Sequence, residues 1–141
     1  MRPRTLILIF LAILLPTTVL AQRFFLREIM IIPVRPIDTD TFEVIENDGA
    51  GGTQMWCAAG KYVRDYQRQR GGSITVLTPR ASSVAYPGRK SVMFTTKPVE
   101  NSISSTSQGV RTAGQTFSTT HANALCRSRH DFYIKVRVLV P

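Results

Sequence analysis

Familiar catalytic signatures are missing from this chain. It has no Gly-x-Ser-x-Gly turn and no His-Glu-x-x-His pair, which excludes the serine-hydrolase elbow and the zinc-protease helix. Cysteine is scarce, with only Cys57 and Cys126. Two distant thiols, with His121 and His130 near only the second, lack the paired spacing of a zinc site. No metal and no cofactor is expected. Acidic residues number nine against eighteen Lys and Arg. The longest apolar run, Leu6 to Leu15, has ten residues, too few for a membrane span of about 20. No cysteine follows that run, so a lipoprotein anchor is not expected either.

That run makes sense with its flanks. Arg2 and Arg4 precede it, and Pro16 leads to Val19-Leu20-Ala21, a small-x-small exit. A charged head, an apolar run and a small exit predict a cleavable secretory signal over residues 1–21. The protein is thus expected to be exported, periplasmic or secreted. Cleavage after Ala21 leaves 120 residues with net charge +7, enough for one domain with its own core. In an oxidising compartment the two cysteines predict one disulfide, Cys57–Cys126. The charge points toward partners dense in negative charge, such as anionic envelope lipid or polysaccharide. Its competing explanation is solubility alone.

Residues 22–40 contain Phe24-Phe25-Leu26 and Ile29-Met30-Ile31-Ile32, then Pro33 and Pro36. They read as an apolar N-terminal arm or edge strand ahead of a single α+β domain over 41–141. Thr41–Glu46 reads as a strand. Trp56, Ala59, Val63 and Tyr66 recur at helical spacing, with Thr53 as cap and Gly71-Gly72 as stop. Strands follow at Ser73–Thr78, ended by Pro79, and at Ser91–Thr96, after a Tyr86-Pro87-Gly88 turn. Val99–Thr116 is long for a loop in a compact domain, which hints at a hidden strand. Ser118 or Thr119 can cap a short helix on which Ala122, Leu125 and Cys126 share a face. The last strand alternates: Phe132, Ile134, Val136, Val138 and Val140 on one side, Tyr133, Lys135 and Arg137 on the other. Strand-helix-strand-strand-helix-strand is the ferredoxin-like plan, an antiparallel sheet with two helices on one face. Cysteines on both helices fit that arrangement.

Few residues invite chemistry. Asp48-Gly49-Ala50-Gly51-Gly52 before a helix resembles a phosphate loop, but no Lys-Ser/Thr follows and a tight turn explains the glycines. Glu43 and Glu46 fall on opposite strand faces, so they are not an acid/base pair. Glu46 shares parity with Phe42 and Val44; partial burial there would raise its pKa, but such a residue more often simply marks where the strand leaves the core. His121 and His130 read as surface residues. Lys61, Arg64 and Arg68 recur along one helix side and, with Arg89 and Lys90, are the candidate anion-binding residues. Tyr133, Lys135 and Arg137 put an aromatic and two cations on the sheet face. RNA-recognition sheets do likewise, but their aromatic signature is missing and export argues against RNA, so no nucleic-acid partner is expected.

Several blocks together carry a resemblance: Phe42-Glu43-Val44-Ile45-Glu46, Gly49-Ala50-Gly51, Trp56-Cys57-Ala58-Ala59, Ser83-Val84, Pro87-Gly88-Arg89-Lys90-Ser91-Val92 with Phe94-Thr95, and Ala122-Asn123-Ala124-Leu125-Cys126-Arg127. They resemble a group of small exported proteins of marine and photosynthetic alphaproteobacteria. The resemblance implies export and paired cysteines, and it implies no catalytic residue. The expected function is an exported, basic, disulfide-bonded binding or envelope-accessory module, monomeric and without chemistry of its own. The alternative is a weak hydrolase or transferase acting on envelope glycans. A cleft with two carboxylates about 5–10 Å apart would favour that alternative.

Overall fold

The computed structural model describes residues 28–47, 49–127 and 132–140. The signal expected over residues 1–21, Phe24–Leu26, Asp48, Arg129 and His130 lie outside them. In chain order the elements are β1 (Glu28–Pro36), β2 (Thr41–Ile45), α1 (Gly52–Asp65), β3 (Ser73–Ser82), β4 (Lys90–Thr95), β5 (Ile103–Ser104), β6 (Gln115–Ser118), α2 (Thr119–Ala124) and β7 (Phe132–Val138). A 3-10 turn, Leu125–Arg127, follows α2. None of the described helices is long and apolar enough to cross a membrane.

The class is α+β, but the sheet is not the antiparallel four-stranded one expected. It has seven strands in the order β5-β6-β3-β4-β2-β1-β7. The pairs β1–β7 and β5–β6 are parallel and the others antiparallel. The four strands read from sequence keep part of the expected plan, since β4 lies between β2 and β3, which α1 connects. Two additions change the sheet. β5 and β6 extend it beyond β3, from within the Ser/Thr-rich segment. At the other end β1 lies between β2 and β7, so it is an interior strand and not an arm or an edge.

An interior strand with a proline needs an explanation, because Pro33 cannot donate to a ladder. The β1–β2 ladder runs from Pro36↔Phe42 to Val34↔Val44, ending one residue short of Pro33. Beyond it the Asn47 side-chain amide donates to the Ile31 carbonyl at 2.9 Å. On the other side β1 stays in register with β7 from Glu28↔Phe132 to Val34↔Val138. Pro79 likewise does not end β3; register shifts between Val76 and Ala81 absorb it.

Alternate residues of the strands supply the main core: Met30, Ile32, Val34, Phe42, Val44, Ile74, Val76, Val92, Phe94, Phe117, Ile134 and Val136 are all buried. Onto this face packs α1, whose Met55 to Gly60, Tyr62 and Val63 are buried. More than one stripe is covered because α2 packs on α1 from the side. Trp56 is the hub, 4.9 Å from the Phe94 ring and 4.4 Å from the Phe117 ring between centroids. The expected disulfide is present: Cys57 in α1 joins Cys126 in the turn after α2, with Cα atoms 4.9 Å apart. Val140, expected on the buried side of the last strand, lies beyond β7 and is exposed.

Both ends of α1 differ from expectation. Thr53 lies inside the first turn, where its hydroxyl donates to Gln108 Oε1 at 2.6 Å. Gly51 is the N-cap and offers no side-chain oxygen; its own N–H donates to Gln54 Oε1 at 3.0 Å. The helix stops at Asp65, well before Gly71, because Arg68 takes the left-handed conformation (φ 57°) usually left to glycine. For α2 the cap is as expected, with Ser118 Oγ accepting from the His121 N–H at 3.1 Å.

Candidate functional site

A cleft of about 590 Å³ opens where β2 hands over to α1. Its walls are the 49–52 turn, Glu46 just beyond β2, Arg80 of β3, and Ser107 and Gly109–Arg111 of the loop before β6. A second hollow of about 270 Å³ shares Glu46 and Gly49 and adds Gly88, Arg89 and Lys90. The walls are built by backbone. Gly49 takes φ 74° in the turn, and Gly52 lies so close to the Gln108 carbonyl that any side chain would collide with it. Trp56 Nε1 donates to the Gly109 carbonyl at 3.0 Å, tying the loop to the core.

Four cations, Arg80, Arg89, Lys90 and Arg111, border the two hollows, against one carboxylate among the described residues, Glu46. Glu46 is not free to react: Arg80 holds it through two hydrogen bonds, 2.6 and 2.8 Å. That pairing lowers the Glu46 pKa and raises that of Arg80. Glu46 marks where the strand leaves the core, since β2 ends at Ile45 and Glu46 turns toward Arg80, and its pKa is lowered where burial would have raised it.

The five cations nominated from sequence do not form one patch. Arg89 and Lys90 belong to the hollow beside the start of α1. Arg89 lies over the Tyr86 ring, 5.8 Å from its centroid, and Lys90 donates to Ser82 Oγ at 3.2 Å. Lys61, Arg64 and Arg68 lie at the other end of the 14-residue helix, a length of roughly 20 Å. Arg64 is occupied by its neighbour Asp65, 2.7 Å away. It also lines a separate hollow with Arg70, Thr119, Thr120 and Asn123. Lys61 is half-buried, its Nζ 5.4 Å from the Tyr133 ring centroid. Arg80 and Arg111 were missed because nothing in the local sequence says that β3 and the Ser/Thr-rich loop meet at this turn.

The buried carboxylate is Glu43, which is 1% exposed on the sheet face away from the helices. It accepts from Ser83 Oγ at 2.8 Å and from Arg35 Nε at 3.1 Å. Desolvation pushes its pKa up, but bonds from Ser91 and Ser83 and the Arg35 charge outweigh this and hold it below its ordinary value. The residues after β3 fold back across β4 to make this cover, with the Tyr86 N–H donating in turn to Ser83 Oγ. Among the described residues no cluster of His, Cys, Asp and Glu could hold a metal ion. His121 is exposed, its ring against Phe117 at 4.5 Å.

Comparison with protein-family models, with curated proteins and with solved structures found no match to this chain.

Proposed function

We propose that this is an exported, non-catalytic binding protein that holds phosphate or carboxylate groups of an envelope glycan or glycolipid in the cleft at the start of α1. The observation that carries the reading is the charge around that cleft. Arg111 and Arg89 have no acidic partner among the described residues, and Lys90, whose charge helps to lower the Glu46 pKa, makes no salt bridge, while the one described carboxylate is tied up by Arg80. A general acid needs a carboxyl whose pKa is raised toward neutrality. Glu46 is shifted the other way. A glycosidase needs two carboxylates facing a cleft, and the described part of this one has a single, occupied carboxylate, which favours binding over the hydrolase or transferase alternative.

The test uses the chain's single tryptophan, whose indole bonds to Gly109 on the cleft wall. A phosphorylated oligosaccharide released from lipopolysaccharide should change Trp56 fluorescence at low salt. The affinity should fall as ionic strength approaches 0.15 M, where the screening length is about 8 Å. Arg111→Gln with Lys90→Gln should weaken it by more than tenfold, each such charge-assisted contact being worth about 1.5 kcal/mol or more. Equal affinity for the dephosphorylated oligosaccharide would refute the proposal.

A further inference from the structure

The open sheet face over β1 and β7 is a second basic surface, of different character. Parallel pairing sets Ile29 beside Tyr133, Ile31 beside Lys135 and Pro33 beside Arg137, all pointing away from the helices. Ile29 is 59% and Tyr133 51% exposed. Lys61 reaches over from α1 onto the Tyr133 ring. Three cations thus flank two large exposed side chains. Neither β7 nor residues 29–36 of β1 carry a carboxylate. On neighbouring β2 the carboxylate on this face, Glu43, is buried and held by Arg35. The turn after β3 covers Glu43 on β2 through Ser83, and the β1–β7 end lies beyond it.

From this juxtaposition we infer that the β1–β7 face docks on an anionic bilayer surface. Cations near such a surface are attracted to its headgroups, and a tyrosine ring and an aliphatic side chain are suited to the interfacial layer just beneath. Charge complementarity selects this occupant over a second copy of the chain, which would bring Lys135 and Arg137 against their own likes. The inference is independent of the cleft: it concerns other residues and another face.

The experiment is co-sedimentation of the protein, as processed by the cell, with phosphatidylcholine vesicles containing about 30 mol % phosphatidylglycerol, a density of anionic headgroups at which basic residues are attracted. At about 20 mM salt, where screening reaches roughly 20 Å, it should bind these and not pure phosphatidylcholine. Lys135→Gln and Arg137→Gln should each weaken binding about fivefold and flatten its salt dependence. Tyr133→Ser should weaken it without changing the salt dependence, since no charge is lost. Arg70→Gln, which removes a charge beside α2, should leave it within twofold. Melting curves separate these effects from unfolding. Equal binding to neutral vesicles, or insensitivity to Lys135→Gln and Arg137→Gln, would overturn the inference. So would a dimer that Tyr133→Ser abolishes, which would assign the face to a second copy. Loss of oligosaccharide binding at the cleft would leave vesicle binding intact.

Discussion

Adding one methyl group at Gly60 tests the helix layer at its tightest point. A Cβ there would lie 2.5 Å from the Asn123 nitrogen, 2.8 Å from the Ala122 carbonyl carbon and 2.9 Å from the Asn123 Cα. Comfortable contact begins near 3.5 Å, so α1 and α2 would have to part by about 1 Å. All three obstacles are backbone, so no rotamer change can relieve them. The helices are also joined one turn away by Cys57–Cys126. Overpacking of this kind costs about 1–3 kcal/mol, and a backbone obstacle puts it at the upper end. Alanine's better helix propensity returns about 1 kcal/mol. Gly60→Ala should therefore destabilise by about 2 kcal/mol, a fall in melting temperature of about 8 °C for a domain this size. Urea and thermal unfolding with the disulfide intact measure it. Gly71→Ala, where nothing lies within 4 Å, is the control and should cost nothing. In a Cys57→Ala/Cys126→Ala background the helices are freer to part, so the Gly60→Ala cost should shrink by 0.5 kcal/mol or more, on the order expected for coupled neighbours. A Gly60→Ala protein as stable as the parent would show that the close approach is not maintained in solution, and would refute the argument.

Other expectations follow from the same contacts. Replacing both cysteines by alanine should cost about 2–5 kcal/mol, the loop between Cys57 and Cys126 being long enough for a loss of about 4 kcal/mol of denatured-state constraint; non-reducing mass spectrometry should find them in one linked peptide. Sequencing of the protein recovered from the envelope or medium should begin at Gln22, and retention of Met1 would refute export. Folding lowers the Glu43 pKa from its ordinary 4.5, so its contribution to stability is complete above that value and is lost as pH falls through the lower folded value. Glu43→Gln should cost about 2 kcal/mol at pH 7, less than for a fully buried pair because Arg35 reaches solvent. It should also flatten the acid limb of a urea-midpoint series, leaving the part due to Asp38, Glu46 and Asp65, whose pKa values are also lowered.

Local pattern was readable and long-range pairing was not. The alternation of β7 placed Ile134 and Val136 inside and Lys135 and Arg137 outside, as found. The Trp56–Val63 spacing located α1, and Cys57 and Cys126 read as a pair because the expected export would leave few other uses for two thiols. Those readings depend on neighbours within a few residues. The burial of Glu43 could not be read from its neighbours, because Ser83, forty residues on, takes part in covering it. Arg80 and Arg111 join the cleft through β3 and a loop whose composition has no period. The Trp-Cys-Ala-Ala block lies in the buried side of α1, and Pro-Gly-Arg-Lys-Ser-Val spans a turn and β4. The resemblance therefore rests partly on residues that packing and turn geometry require.

The placement of β1 governs more of the molecule than its sequence suggested. Had the sheet followed the ferredoxin-like order, β7 would have paired antiparallel with β2, and Tyr133, Lys135 and Arg137 would have faced a strand already covered at Glu43. Inserting β1 moves β7 one position outward and reverses its partner's direction. Ile29 then stands beside Tyr133 at the uncovered end of the sheet. Two prolines make the insertion possible without spoiling the ladders. Pro33 lies just beyond the last β1–β2 pair, and Pro36 ends the strand before the turn into β2. Asp38 closes that turn by accepting from the Asp40 and Thr41 N–H groups, both at 2.8 Å. The register sets Pro33 opposite Ile45, the last residue of β2, so replacing Pro33 by valine would restore a donor facing the end of that strand. It should therefore stabilise by about 0.5–1.5 kcal/mol, the usual net worth of one hydrogen bond. An unchanged or lower urea midpoint would mean instead that the β1–β2 ladder stops at Val34.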